Sequence, residues 1–412
     1  VLSAETFNRL VEGMRRAHSA RQASLTVLAH YAALANSDAA ALRRRCEVAR
    51  ERVPEWSGTT GFVESPARSY AFGETPLPST PWVLIAVDGS QIFPSRHKPY
   101  LYGYARAQCQ AIAYNAQDER QQAFVRDLSA PMRAKERVFT EEELVEPSTG
   151  ELQAQRVALE RSLLELEALA EACTQAREHG LQPLALADGM LIPFGLLGAR
   201  LNEGYAPALE RLLAALQEMR KSQAWVCGYV DRPNSQALVQ TIMLSDLDPD
   251  APDFARQLTQ RLSAMRGVLD RHLLERLLQP KHHTAPFVPA WRINALLEQR
   301  GVAVHAFYAN FGAPEIAGAP KTVIARLEVP AWCADVPLLQ TLCAVVDRQV
   351  QFANGYPLLL ATAHEAVAVT RALERTVDQA LHAQLAASGI VPEMPSFKEQ
   401  LKEQLKEAEF EA

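Results

Sequence analysis

Trp82-Val83-Leu84-Ile85-Ala86-Val87-Asp88-Gly89-Ser90 is a continuous apolar run that stops abruptly at an acid and a glycine. Such a run, closed by turn residues, predicts a strand buried on both faces and feeding a turn. Leu184-Ala185-Leu186-Ala187-Asp188-Gly189 repeats the pattern. One Asp-Gly after a strand is an ordinary turn, since both residues tolerate that geometry. Two are more informative, because carboxylates at neighbouring strand ends can share divalent ions.

Outward from the first strand, Tyr100 to Tyr114 follows a polar break and predicts the second arm of an antiparallel hairpin. Glu141 to Arg177 reads as mostly helical, with His179-Gly180 suited to the left-handed cap. Tyr205 to Met219 predicts an amphipathic helix, Ala224 to Val230 a third core strand, and Asn234-Ser235 a further helix start. Val302 to Ala309 and Thr322 to Val329 read as late strands, with Leu338 to Phe352 and Ala361 to Leu385 as closing helices. This mixture predicts an α/β fold.

The flanks differ. Ser3 to about Arg52 carries apolar residues at helical spacing, and the Pro-, Ser- and Gly-rich stretch Glu64 to Pro81 reads as a linker. The expected organisation is therefore an N-terminal helical region and linker over 1–80, a main domain over 81–390 and a tail over 391–412. Asp253 to Leu278 belongs to a helical insertion at about 250–300, and His282-His283 falls in a loop without spaced partners. The tail from Ser396 places Leu401, Leu405 and Ala408 opposite Lys and Glu, a solvated helix with i,i+4 charge pairs.

Composition narrows the classes. Nearly half of the 412 residues are apolar, which excludes a disordered or collagenous chain. No apolar run approaches the ~18 residues of a membrane span. Val1 to Arg16 reads as an amphipathic helix rather than a signal sequence, so a cytoplasmic location without membrane association is expected. Cys46, Cys109, Cys173, Cys227, Cys333 and Cys343 form no CxxC pair and predict reduced, buried thiols rather than zinc ligands. A net charge of -6 argues against a protein that coats nucleic acid, yet an acidic site that recruits metal needs only local Arg and Lys for phosphate.

Val87-Asp88-Gly89-Ser90, the hairpin, the long helix, Ala187-Asp188-Gly189-Met190, Gly228-Tyr229-Val230-Asp231-Arg232-Pro233, Gly355-Tyr356-Pro357 and Ala363-His364 resemble the NurA nucleases in motif and in order, from Trp82 to Leu385. The resemblance implies an RNase H-like mixed sheet with flanking helices, here with an N-terminal helical segment and a helical insertion. It implies a manganese- or magnesium-dependent DNase using two ions, with Asp88 and Asp188 as ligands. A third carboxylate is expected from the intervening helix, where Glu160 and Glu165 compete. Glu160 shares its face with Val157, Leu163 and Leu164 and is favoured; Glu165, beside Arg161 and Leu169, is the alternative.

By the same likeness His364 binds metal, pairs with a phosphate or protonates the leaving oxygen, and Tyr356 positions DNA or the histidine. Ser90 and Arg232 are candidate substrate contacts, Arg232 for phosphate, although an Asp-Arg-Pro turn pinned by its own ion pair fits equally. Met190 replaces a small polar residue of the family pattern, and Asp231-Arg232 a more basic stretch, which bears on phosphate contacts more than on metal ligands. Family likeness further implies a homodimer that acts with a HerA-type hexameric ATPase in DNA end resection and double-strand break repair, as a 5′-to-3′ exonuclease with single-strand endonuclease activity. Two rival readings are a non-catalytic adaptor of the same fold and an actin-like ATPase or sugar kinase. Both aspartates are present, against the first, and no Gly-rich phosphate loop follows either strand, against the second.

Overall fold

The computed structural model describes residues 3–389 apart from 36–38, 55, 63–67, 97, 99, 147, 198–204, 317–318 and 354, so the tail expected beyond Ser396 lies outside the described residues. Two helices, α1 (Ala4–Ala35) and α2 (Ala39–Arg52), precede a mixed sheet. The apolar run at Trp82 forms β1 (Trp82–Ile92), with every residue from Trp82 to Val87 buried. β2 (Gly103–Tyr114) pairs antiparallel with it from Trp82↔Tyr114 to Ile92↔Tyr104, and β3 (Lys135–Phe139) pairs antiparallel with β2. On the other side β4 (Gln182–Asp188) runs parallel to β1, and β5 (Trp225–Val230) parallel to β4.

Two more strands, β6 (Val304–Asn310) and β7 (Ile324–Pro330), pair with each other, and β7 pairs antiparallel with β5, giving the order β3-β2-β1-β4-β5-β7-β6. Beyond β6 the sheet continues through Phe287–Pro289 to Thr59–Phe62, so the segment ahead of β1 adds a strand of its own.

Alternation along the strands assigns the two layers. Val83, Ile85, Val87, Ala185 and Val226 pack against Leu163, Leu169 and Cys173 of α3 (Ala154–Glu178) and Leu212 and Leu216 of α4 (Ala206–Lys221). Leu84, Ala86, Leu184, Leu186 and Cys227 pack against Leu342 and Val346 of α5 (Val336–Phe352) and Leu360 and Ala363 of α6 (Leu358–Val367). Burial on both faces is why β1 and β4 read as unbroken apolar runs. A further cluster joins Leu28, Leu42 and Cys46 of α1 and α2 to Leu238, Phe254, Leu258 and Leu273, so the two N-terminal helices pack against the helical insertion. All six cysteines are free and buried, and burial pushes the Cys46, Cys109 and Cys333 thiols up to about 12. None of the described helices is long and apolar enough to cross a membrane.

Three local expectations are corrected. The helix expected over Glu141 to Arg177 is two pieces, Glu141–Leu144 and α3, separated by a turn with Gly150 at φ 66°. The closing helix breaks after α6, because Thr370 turns its hydroxyl onto the Leu373 N–H and starts α7 (Arg371–Ala387) afresh. His282-His283 is a short strand rather than a loop: it pairs with Ser69–Ala71, and the His283 ring is fully buried between Tyr70, Phe72 and Phe307.

Burial lowers the His283 imidazole to about 4, with its Nδ1–H donated to the Thr284 carbonyl at 2.8 Å and its Nε2 left without a partner. An unfolded histidine takes up its proton near pH ~6.5, so the stability His283 contributes is present above that value and is lost as pH falls towards 4. Between pH 7 and 4 the wild type should lose up to about 3 kcal/mol more unfolding free energy than His283→Phe, read from urea melts at each pH. Parallel pH profiles for the two proteins would refute this.

Candidate functional site

The parallel register Val87↔Ala187 carries Asp88 and Asp188 to the same level, Asp188 at the carboxyl end of β4 and Asp88 within β1, which runs on to Ile92 against β2, so the turn expected at Asp88-Gly89 is continuous strand instead. Asp88 is nearly buried; its Oδ1 accepts the Gly89 N–H at 2.7 Å, and its Oδ2 lies 2.7 Å from His364 Nδ1 on α6. The turn after Asp188 depends on two glycines. Gly189 takes φ 102° and donates its N–H to the Tyr229 carbonyl at 2.8 Å. On β5, a Cβ at Gly228 would stand 2.7 Å from the Gly189 carbonyl oxygen, so only glycine lets the turn lie against the strand.

Glu165 reaches the same level from α3. A Cβ on Gly89 would fall 2.3 Å from Glu165 Oε1 and 2.7 Å from Arg161 Cγ, so the glycine makes room for this pair. Arg161 Nη1 lies 2.6 Å from Glu165 Oε1, 4.0 Å from Asp88 Oδ1 and 3.5 Å from the Gly89 carbonyl. Burial raises Glu165 to about 8, with Arg161 opposing and the Asp88 and Asp188 charges adding to the rise. Asp188 is raised by burial and by Asp88, against a hydrogen bond from Tyr356 and the charges of His364 and Arg161. Tyr356 in turn is held protonated by burial and by Asp188, and it meets Tyr229 edge-on at 5.6 Å.

The structure thus gathers Asp88, Asp188, Glu165, Tyr356 and His364, with Arg161 among them. Glu160 does not join them. It is buried as its apolar neighbours imply, but Arg211 of α4 grips both its oxygens at 2.7 and 2.8 Å and Arg137 of β3 adds a contact at 2.9 Å. Rise explains the difference, because α3 from Glu165 to Glu178 and β4 from Gln182 to Asp188 each span about 20 Å, whereas Glu160 overshoots by about 7.5 Å. Ser90 accepts the Val369 N–H at 3.0 Å and so pins the chain after α6 to β1. Arg232 is exposed in the turn after β5 at φ 43°, and its carbonyl lies 3.5 Å from Arg271 Nη1. Arg161 and Tyr229 carry no site role in the sequence reading, although the i,i+4 spacing sets Arg161 beside Glu165 and Tyr229 falls in one of the quoted motifs.

The donor set suits a hard divalent cation. Asp88, Asp188 and Glu165 offer only oxygen, and two of the three are pushed towards protonation by burial and mutual repulsion that a cation would relieve. Among the described residues no three His, Cys, Asp or Glu side chains already converge as a cage. The residues that could close one are those three carboxylates, with His364 at the rim.

A family model of the NurA domain matches residues 83–369. The match takes in β1 through α6 and every residue of the cluster, and stops short of α7 and the two N-terminal helices. No curated protein matches the chain.

The two glutamates should differ in stability as in surroundings. Glu160→Gln removes a carboxylate that two arginines share and should destabilise the fold by roughly 1–3 kcal/mol. Glu165, raised to about 8 and so largely protonated at pH 7, has little charge to lose, and the Tm of Glu165→Gln should stay close to that of the wild type. Calorimetry of both variants decides between them, and a larger loss in Glu165→Gln would reverse the assignment.

Proposed function

Because the chain belongs to the NurA family, we propose that it is a divalent-metal-dependent deoxyribonuclease that processes DNA ends. The observation that carries this reading is the placing of Asp88 and Asp188 abreast on the two central strands with Glu165 brought in beside Gly89, and His364 Nδ1 2.7 Å from Asp88. Strand order supports an RNase H-like core: β3-β2-β1 are antiparallel, β1, β4 and β5 parallel, and the third carboxylate comes from the helix leading into β4.

Asp88, Asp188 and Glu165 would hold manganese or magnesium, two ions in the reading favoured here. When bound, the metal supplies Lewis-acid polarisation of the phosphodiester and charge stabilisation at its entering and leaving oxygens. The residues of the chain do the rest. Tyr356 orients Asp188 through its hydroxyl, and Arg161 offsets the carboxylate repulsion. With Nδ1 committed to Asp88, His364 presents Nε2 from a largely exposed ring, placed to pass a proton to a leaving oxygen. Arg232, exposed after β5, is the candidate for a flanking phosphate.

The net charge of -6 gives little long-range pull on DNA, which supports feeding by a motor, a HerA-type hexameric ATPase acting on a homodimer of this chain. Resection from 5′ to 3′ with single-strand endonuclease activity completes the proposal.

On end-labelled DNA with manganese, Asp88→Ala, Asp188→Ala and Glu165→Gln should each lower cleavage at least roughly 100-fold, while Glu160→Gln keeps most of it below its melting temperature. Near-wild-type cutting by either aspartate variant would overturn the nuclease reading, and a wild type that binds DNA without cutting would leave the adaptor. Adding a HerA-type hexamer and ATP should make digestion faster and less sensitive to salt, measured as product against time at 50 and 200 mM salt.

A further inference from the structure

Glu328 and Arg326 lie on β7, outside the cluster of site carboxylates, and both are buried. Their partnership is a poor one. Arg326 Nη2 and Glu328 Oε1 are 2.8 Å apart, yet they are not aligned as a hydrogen bond, and Arg326 Nε also lacks an acceptor. A buried ion pair is at best a weak source of stability even when well aligned. Its presence at the centre of the sheet therefore asks for another reason.

The other carboxylate oxygen gives one. Glu328 Oε2 accepts the Leu191 N–H at 3.0 Å, three residues beyond Asp188. Register explains how a side chain on β7 reaches that turn: Glu328 pairs with Gly228 on β5, and Gly228 has no Cβ. In the space a Cβ would fill lie the Gly189 carbonyl at 2.7 Å and the Leu191 nitrogen at 3.3 Å. The turn carrying Asp188 is thus held twice, by Gly189 N–H to the Tyr229 carbonyl and by Leu191 N–H to Glu328. Arg326 stacks over Trp291 at 4.8 Å, and its charge opposes the rise that burial imposes on the Glu328 carboxyl.

We propose that Glu328 is a positioning residue of the nuclease site, fixing the Asp188 turn across the gap left by Gly228. The rate consequence rests on the nuclease reading; the structural consequence does not. A ligand carboxylate displaced by about 1 Å can cost up to roughly 100-fold in rate, so an anchor one turn away matters to the reaction without touching it.

Two paired substitutions separate positioning from bulk stability. Arg326→Met/Glu328→Gln and Arg326→Met/Glu328→Leu both remove the two charges together, so neither strands a buried ion. Only the glutamine keeps an oxygen to accept the Leu191 N–H. Hydrogen exchange of peptides covering Leu186 to Pro193 should match the wild type in the glutamine variant and quicken at least roughly tenfold in the leucine variant, with similar Tm for the two. In cleavage assays the glutamine variant should stay within about threefold of wild-type kcat, and the leucine variant should fall at least roughly tenfold, with KM for DNA unchanged and more manganese needed for half-maximal rate. Equal exchange at Leu191 in both variants overturns the proposal. So does a leucine-variant rate loss that merely follows Tm. If the wild type fails to cut DNA the exchange measurement still decides the anchor, and only the nuclease reading falls.

Discussion

Parallel pairing of β1 with β4 is the constraint on which the rest depends. Val87↔Ala187 is the last paired step between the two strands, and it leaves Asp88 and Asp188 abreast in a largely buried setting. Burial and the Asp88 charge raise Asp188, and burial with both aspartate charges raises Glu165 as it arrives from α3. Much of the surrounding detail answers that crowding: a guanidinium among the acids, a tyrosine hydroxyl on one of them, an imidazole on another. Such concentrations of strained charge are a mark of sites built to bind or react rather than to stabilise.

Glycine does the complementary work at the backbone. Gly89 and Gly228 lack a Cβ where a glutamate side chain and a carbonyl oxygen must pass, and Gly189 takes a φ of 102° that other residues rarely adopt. The two Asp-Gly pairs are thus more than turn signals. In the first the glycine admits Glu165; in the second it bends the chain so that Leu191 faces Glu328.

The core was legible from sequence because it obeys simple periodicities. β1, β4 and β5, the long helix ahead of β4 and the late strand pair all stand close to where apolar runs and turn residues put them. Long-range satisfaction of charge was not legible. Glu160 and Glu165 both look inward on a helical wheel, and only the rise along α3, together with Arg211 and Arg137 on other elements, assigns one to structural ion pairs and the other to the aspartates. His283 was read as part of a loop because its strand is three residues long and its partner, Ser69–Ala71, lies in a stretch whose composition signals a linker. The break before α7 turns on the Thr370 cap and the one before α3 on the turn at Gly150, local signals set between strong helical patterns.

The contact between Asp88 and His364 joins positions 276 residues apart. Ser90 and Val369 fasten the same two segments, so a central strand and the last helix of the matched domain are stitched together. A chain emerging from the ribosome exposes both aspartates and Glu165 well before it exposes the histidine. The imidazole cannot dock until α6 has cleared the exit tunnel and packed across β1. Synthesis itself therefore imposes an order of assembly in which His364 arrives last, after the scaffold that must hold it.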